Sequence, residues 1–192
     1  METFLLVNSV LVWIVVLANV VLTLALVRRV NAFPGSLAGM DSGLPIGTPA
    51  PDFSLQTLTG QTVTLANFTS RSTTFVFVAP HCQPCHALLP ALKTLAQGAR
   101  AAGTPLVLVS DGRKPETEEM VQVLEGQVEV LLAPRFEQTL FTDYHINMTP
   151  SYCSLDEKGV ITGTGSPDRS DSGWQHLLTT WSRQETMADT RR

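Results

Sequence analysis

Cysteine is scarce in this sequence, and its scarcity limits what the chain can be. The 192 residues include three cysteines, Cys82, Cys85 and Cys153. Three are too few for the set of cross-links that holds a small disulfide-rich secreted scaffold together. A closed four-ligand metal site is also unexpected, because no second Cys or His pair has ligand spacing. The Cys82/Cys85 pair is therefore better suited to reaction than to cross-linking, and we expect no bound metal.

An excess of basic residues is also missing. The chain has 13 Lys and Arg against 17 Asp and Glu, which gives a formal net charge of −4. Only Glu2, Arg28 and Arg29 are charged before Asn31, so the remainder of the chain is more acidic still. An acidic domain is a poor match for nucleic acid or an anionic lipid surface. We expect no nucleic-acid partner.

Long apolar runs are absent except at the N-terminus. The stretch from Phe4 to Val27 has no charged residue. As a helix it would be about 36 Å long, more than the roughly 30 Å of a bilayer's hydrocarbon core. A cleaved signal peptide would instead have a basic start and a shorter apolar core, whereas this chain begins with Glu2 and no Lys or Arg. The stretch therefore predicts an uncleaved single-pass transmembrane helix in contact with membrane lipid.

Composition divides the chain into four parts. Residues 1–30 contain the anchor, and residues 31–46 are rich in Gly, Pro and Ser without periodicity, which indicates a linker. Residues 47–183 have the strand and helix patterns of one globular domain. Residues 184–192 form a polar tail that we predict to be disordered.

Cys82 and Cys85 lie between an apolar stretch and a helical pattern. Phe75 to Val78 has the β-branched and aromatic composition of a buried strand, and the apolar spacing after Cys85 indicates a helix to Ala101. A helix N-terminus has free N–H groups and a positive dipole end, which stabilise a thiolate. The pattern predicts dithiol–disulfide chemistry, with Cys82 as the nucleophile and Cys85 as the resolving thiol.

The rest of the domain alternates between strand and helix patterns. A hairpin is predicted over residues 50–65, followed by strands at 71–78, 105–110, 128–132, 151–155 and 160–164 and helices at 82–101, 115–125, 136–144 and 174–182. This order predicts an α/β domain with a central mixed sheet flanked by helices.

The Cys-Gln-Pro-Cys motif at 82–85 resembles the thioredoxin family. Pro90 lies five residues after the second cysteine, and Thr149-Pro150 precedes a strand, as in thioredoxins. The resemblance implies a thioredoxin-like fold with a redox-active disulfide between Cys82 and Cys85. It also implies a cis bond before Pro150, with Thr149 and Pro150 in a loop that binds an extended substrate segment. No cofactor is expected.

Three longer segments extend the resemblance. Gly47-Thr-Pro-Ala-Pro-Asp-Phe53 resembles the start of redoxin domains of the TlpA and ResA type. Over nearly the whole chain the sequence is similar to the methylamine utilisation family MauD, for example at Val107-Leu-Val-Ser-Asp-Gly112 and Leu155-Asp-Glu-Lys-Gly-Val-Ile161. This resemblance implies a membrane-anchored thiol–disulfide oxidoreductase. Its partners would be protein thiol or disulfide substrates, such as methylamine dehydrogenase during maturation, and an upstream redox protein.

Three positions depart from the thioredoxin pattern. His81 replaces the Trp that commonly precedes the first cysteine, and Val76 replaces the buried Asp that can accept the proton of the resolving thiol. Gln83-Pro84 fills the space between the cysteines, where the dipeptide helps to set the redox potential. We therefore expect Pro84 to modulate Cys82, and His81 either to modulate it as well or to be a surface residue that fills the Trp position. The direction of the reaction stays open.

The cysteines also allow other roles. With His86, the motif matches the C-x-x-C-H pattern of haem c attachment, although a haem c domain is mostly helical and here the motif follows a predicted strand. Alternatively, Cys82, Cys85 and a histidine could carry copper, as metallochaperones of redoxin fold do. Cys153, on the predicted strand 151–155, is expected to be a buried and inert thiol.

Two signals disagree about the side of the membrane. Arg28 and Arg29 follow the anchor directly, and the positive-inside rule then favours a cytoplasmic domain. Disulfide chemistry favours a compartment outside the cytoplasm, where thiols can stay oxidised. We expect an anchor in a bacterial cytoplasmic membrane and a periplasmic redox domain.

Overall fold

The computed structural model describes residue 1, residue 9, residues 13–23 and residues 43–189, with side chains as far as residue 183. The chain forms two compact units, Met1–Asp41 and Ser42–Arg192. In the first unit, residues 13–23 are helical. Much of the predicted anchor Phe4–Val27, and the predicted linker up to residue 42, lie outside the described residues. Within the described ranges, no helix is long and apolar enough to cross a bilayer.

Seven strands of the second unit form one mixed sheet. They are β1 (Ser54–Thr57), β2 (Thr62–Thr64), β3 (Thr73–Val78), β4 (Leu106–Ser110), β5 (Glu129–Leu132), β6 (Ser151–Leu155) and β7 (Ile161–Gly165). The spatial order is β2-β1-β5-β4-β3-β6-β7. Strands β3, β4 and β5 are parallel to one another, and the remaining neighbours are antiparallel. The predicted mixed sheet and its N-terminal hairpin are confirmed.

Helices flank the sheet. They are α1 (Gln83–Ala101), α2 (Lys114–Val121), α3 (Leu140–Asp143) and α4 (Ser172–Asp189), and 3-10 turns cover Leu65–Asn67 and Gln122–Leu124. The α1 helix runs to its predicted end. The other helices form where they are predicted, but their ends differ from the predicted ends.

The predicted helix over residues 136–144 is wrong at its start, because helix forms only over α3. The Pro134 carbonyl accepts hydrogen bonds from both Glu137 and Gln138 N–H, at 2.8 Å each. These bonds close a separate turn before α3, and that turn uses the residues predicted to begin the helix.

The last helix is longer than the predicted residues 174–182. Asp171 caps its start, because its Oδ1 accepts a hydrogen bond from Trp174 N–H at 2.7 Å and another from Tyr152 Oη at 2.9 Å. The helix then continues to Asp189. Its final residues include part of the segment 184–192 for which we predicted a disordered tail.

The sheet separates two hydrophobic cores, and β3 contributes to both. Phe75 and Phe77 pack in the first core, whereas Val76 and Val78 pack in the second, against α1 and α4. All four side chains are buried. A central parallel strand that is covered on both faces is apolar throughout, which explains the continuous apolar run that precedes the cysteine motif.

Helix α1 crosses α4 at close range. Gly98 of α1 is buried, and a Cβ at this position would lie 2.5 Å from the backbone oxygen of Trp181. Trp174 and Trp181 are buried in the second core, so α4 presents the apolar face that the sequence predicts. The absence of a side chain at Gly98 lets the two helix backbones approach.

Candidate functional site

The cysteine motif and the Thr149-Pro150 loop lie at one edge of the sheet. Parallel strands β3, β4 and β5 all end at this edge, and the motif follows β3 directly. Strand β6 is antiparallel to β3 and pairs Ser151 with Phe77, so it begins at the edge where β3 ends. The topology therefore brings together two segments that are far apart in the sequence.

Cys82 and Cys85 form a disulfide at the start of α1, with their Cα atoms 5.2 Å apart. Cys82 is the N-cap, and its Sγ accepts a hydrogen bond from the Cys85 N–H at 3.2 Å. Pro84, in the first turn, has no N–H and suits a position where no helix partner exists. In the reduced protein this cap and the positive end of the helix dipole stabilise a Cys82 thiolate.

The two sulfurs differ in exposure. Cys82 is half-buried, whereas Cys85 is completely buried. A disulfide on another protein can therefore reach Cys82 but not Cys85. The difference suits the predicted roles of Cys82 as nucleophile and Cys85 as resolving thiol, which stay predictions.

Thr149 lies against the disulfide. Its carbonyl oxygen is 3.4 Å from Cys82 Sγ, a distance at which a reduced Cys82 thiol could donate a weak hydrogen bond. The Thr149-Pro150 peptide bond is cis, which confirms the predicted isomer, and both residues are half-buried. The predicted role of Thr149 and Pro150 in binding substrate stays a prediction.

Cys85 lies in an apolar environment. It packs in the second core with Val76, Val78 and Leu89, and Val76 has no exposed surface. Among the residues whose side chains the structure describes, no Asp or Glu is buried. With Val76 in place of the thioredoxin Asp, no buried carboxylate among these residues faces the resolving thiol to take its proton.

Two exposed histidines flank the cysteines. His81 precedes Cys82 on the surface. His86 follows Cys85, and its Nε2 lies 2.6 Å from the Pro80 carbonyl oxygen. His86 therefore contacts the loop that leads into Cys82.

The alternative roles of the motif find no geometric support. The haem pattern would use Cys82, Cys85 and His86, yet the two sulfurs are bonded to each other and the His86 Nε2 contacts a carbonyl. Across the described ranges, no three His, Cys, Asp or Glu side chains converge in a way that could hold a metal ion. The two sulfurs are arranged as a disulfide-exchange site arranges them.

Cys153 lies on the opposite side of the sheet from Cys85. It is buried in the first core, and burial raises the pKa of its thiol to about 12. A thiol with this pKa is protonated at neutral pH and is a poor nucleophile. The position agrees with the predicted buried thiol.

Sequence reasoning missed the contacts made by Asp111 and Gly112 in the loop that follows β4. Asp111 follows β4 and forms an ion pair with Arg135, Nε to Oδ2 at 2.8 Å, and the Arg135 guanidinium lies 4.5 Å from the Phe141 ring centroid. Gly112 packs against Pro80. The sequence places Asp111 and Gly112 directly after the predicted strand 105–110, and that position was the available signal.

Comparison with known proteins agrees with this geometry. The sequence profile of the AhpC/TSA family matches residues 46–164. The chain is 30% identical to methylamine utilization protein MauD of Paracoccus versutus over 169 residues, which cover 85% of this chain and 82% of that protein. It is also 30% identical to thioredoxin-like protein YneN of Bacillus subtilis, over 62% of this chain and 70% of that protein.

A solved structure gives the same fold. The thioredoxin domain of a thiol-disulfide oxidoreductase from Bacteroides vulgatus superposes with a TM-score of 0.61 at 20% identity, covering 71% of this chain and 97% of that domain. At this level of identity the match establishes the fold and nothing finer. The predicted thioredoxin-like fold is confirmed.

Proposed function

Because this chain belongs to the AhpC/TSA family and is a thiol–disulfide oxidoreductase of thioredoxin-like fold, we propose that it exchanges disulfides with protein clients at a membrane. One observation carries the proposal. Cys82 is the accessible member of a Cys82–Cys85 disulfide, at a helix N-terminus and beside the Thr149 carbonyl. This arrangement activates one sulfur and keeps the second within reach.

The exchange takes two steps. In the reduced protein, the Cys82 thiolate attacks a client disulfide, a mixed disulfide forms, and one client sulfur leaves as a thiolate. Cys85 then attacks Cys82 Sγ, and its proton passes to the client thiolate released in the first step. The Cys82–Cys85 bond closes and the second client sulfur leaves, so two electrons pass to the client. The same steps in reverse oxidise a client dithiol.

The residues around Cys82 have supporting roles in this proposal. An extended client segment pairs with the backbone at Thr149 and Pro150, which brings its sulfur to Cys82. His81 and Pro84 are exposed beside the disulfide and modulate its reactivity. An upstream redox protein restores the starting oxidation state.

A redox titration of the full chain in detergent tests the exchange chemistry. After equilibration with mixtures of reduced and oxidised glutathione, alkylation and mass analysis should show a single two-electron transition at Cys82 and Cys85. Cys153 should be unmodified in the folded protein throughout, which provides an internal control. A Cys82–Cys85 pair that does not respond to the glutathione ratio would refute the proposal.

The similarity to MauD of Paracoccus versutus supports a finer hypothesis about the client. A chain of this kind would act in the maturation of a disulfide-containing protein such as methylamine dehydrogenase. The client would then contain several cysteines whose pairing must be set after synthesis.

Membrane attachment is part of the same proposal. The uncharged stretch Phe4–Val27 would anchor the chain in a bacterial cytoplasmic membrane, with the redox domain in the periplasm. A C-terminal reporter enzyme that is active only outside the cytoplasm should be active when fused to the full chain. Activity of a cytoplasmic reporter instead would reverse the orientation, as Arg28 and Arg29 suggest, without affecting the exchange chemistry.

A further inference from the structure

The loop that leads into Cys82 is held at Pro80 by the helix that follows it. Residues 79–81 connect β3 to the cap of α1. The Pro80 carbonyl oxygen lies 2.6 Å from Nε2 of His86. A carbonyl oxygen can only accept, so the His86 ring nitrogen carries the proton and donates it in this hydrogen bond.

Pro80 is also held from the other side. A Cβ at Gly112 would lie 2.8 Å from Pro80 Cδ and closer still to its Cγ, so the proline ring packs directly on the Gly112 backbone. The Gly112 N–H donates to Ser110 Oγ at 3.2 Å, and this oxygen is 2.8 Å from Thr117 Oγ1. Both hydroxyl residues are buried, so Pro80 rests on a fixed surface.

The position of Pro80 determines the position of Cys82. The Cys82 N–H donates to the Ala79 carbonyl at 3.1 Å, which closes a tight turn around Pro80. The Cys82 Sγ then lies 3.4 Å from the Thr149 oxygen and 3.2 Å from the Cys85 nitrogen. A shift of Pro80 would move the sulfur relative to both groups.

We propose that His86 is a positioning residue for Cys82, which it holds in place through the Pro80 carbonyl. The inference rests on the proposed disulfide exchange and adds a residue to it. Without the donor at position 86, Pro80 keeps its packing on Gly112 but loses the hydrogen bond to its carbonyl, and the turn that carries Cys82 gains freedom. Loss of one hydrogen bond of average net strength corresponds to a decrease of about fivefold in the rate of attack by Cys82.

Two substitutions at His86 separate positioning from other effects. His86→Leu removes the donor, whereas His86→Gln keeps an N–H at a similar distance from the backbone. The rate constant for reduced full chain with oxidised glutathione should fall about fivefold in His86→Leu. In His86→Gln it should stay within about twofold of the unmodified chain. Because His86 is exposed, the unfolding midpoint should change little in either variant.

A matched control is Gln97→Leu, which makes an exposed polar residue of the same helix apolar and should leave the rate unchanged. Equal rates for His86→Leu and the unmodified chain would overturn the inference. So would an equal loss in His86→Leu and His86→Gln, since the donor would then be irrelevant. An unmodified chain that does not react with oxidised glutathione would instead refute the proposed function itself.

Discussion

Serine in place of Cys82 is expected to lower the rate of disulfide exchange by about a thousandfold or more. A serine hydroxyl is not ionised near neutral pH and forms no disulfide, so the first step of the exchange is lost. The serine oxygen can still accept the hydrogen bond from the residue 85 N–H that Cys82 accepts now, so the helix cap is kept. The reaction of the reduced full chain with oxidised glutathione measures the rate, and the thermal unfolding midpoint verifies the fold.

Cys85→Ser should stop the same reaction one step later. Cys82 can still attack, but no second thiol can displace the bound group, so the mixed disulfide accumulates. Mass spectrometry should show one glutathione per chain, bound at Cys82 and removed by a reducing agent. In the unmodified chain Cys85 attacks the mixed disulfide at Cys82 and releases glutathione, so this adduct should not accumulate.

The control for both variants is Cys153→Val. Cys153 is buried in the first core and burial raises the pKa of its thiol to about 12, so its loss should leave the exchange rate unchanged. A Cys82→Ser protein with full activity would contradict the assignment of the nucleophile. An equal loss in Cys82→Ser and Cys153→Val would show that the loss comes from the fold rather than from the sulfur.

Gly98→Ala is expected to destabilise the domain by about 2 kcal/mol, as overpacking of a tight contact does. In an isolated helix the same substitution would be stabilising by about 1 kcal/mol. Even the sign of the change in stability therefore depends on the contact between α1 and α4. The new Cβ would lie 2.5 Å from the Trp181 backbone oxygen and 3.0 Å from its carbonyl carbon. Backbone atoms in a helix cannot rotate away, so α1 and α4 would have to separate.

Thermal and denaturant unfolding measure this effect. A loss of this size corresponds to a decrease of about 4–8 °C in the unfolding midpoint for a domain of this length. Gln97→Ala is the matched control, because it introduces alanine one position earlier on the exposed side of α1, and it should change stability by less than about 0.5 kcal/mol. A midpoint that rises in Gly98→Ala would mean that α1 and α4 are not in close contact.

Features that depend only on residues adjacent in the sequence could be predicted from the sequence. The apolar run at Phe75–Val78 forms β3, and Cys82 caps the helix that follows. The hairpin at the start of the domain also forms as predicted. Hydrophobic period, turn residues and helix caps are local properties, so a single stretch of sequence contains them. The ends of α3 and α4 were predicted poorly because nearby turns and caps compete for the same residues.

The candidate site could be predicted in part. Its reacting pair, Cys82 and Cys85, and the cis Thr149-Pro150 bond were identified through motif and resemblance. The contact between His86 and Pro80 could not be predicted, since a C-x-x-C-H motif is compatible with several unrelated functions. The packing of Gly112 on Pro80 depends on two adjacent strands ending at one edge, which no local pattern contains.

The sequence by itself determined that a reactive cysteine pair begins a helix after a buried strand, because strand, cap and helix all lie between Thr73 and Ala101. The tertiary structure alone decided which groups surround that pair. It placed Cys85 and Cys153 in opposite cores, Thr149 against Cys82, and Pro80 between His86 and Gly112. The contacts of Thr149 and Gly112 follow from the strand order β4-β3-β6, and strand order is set by the packing of the whole sheet rather than by any one segment.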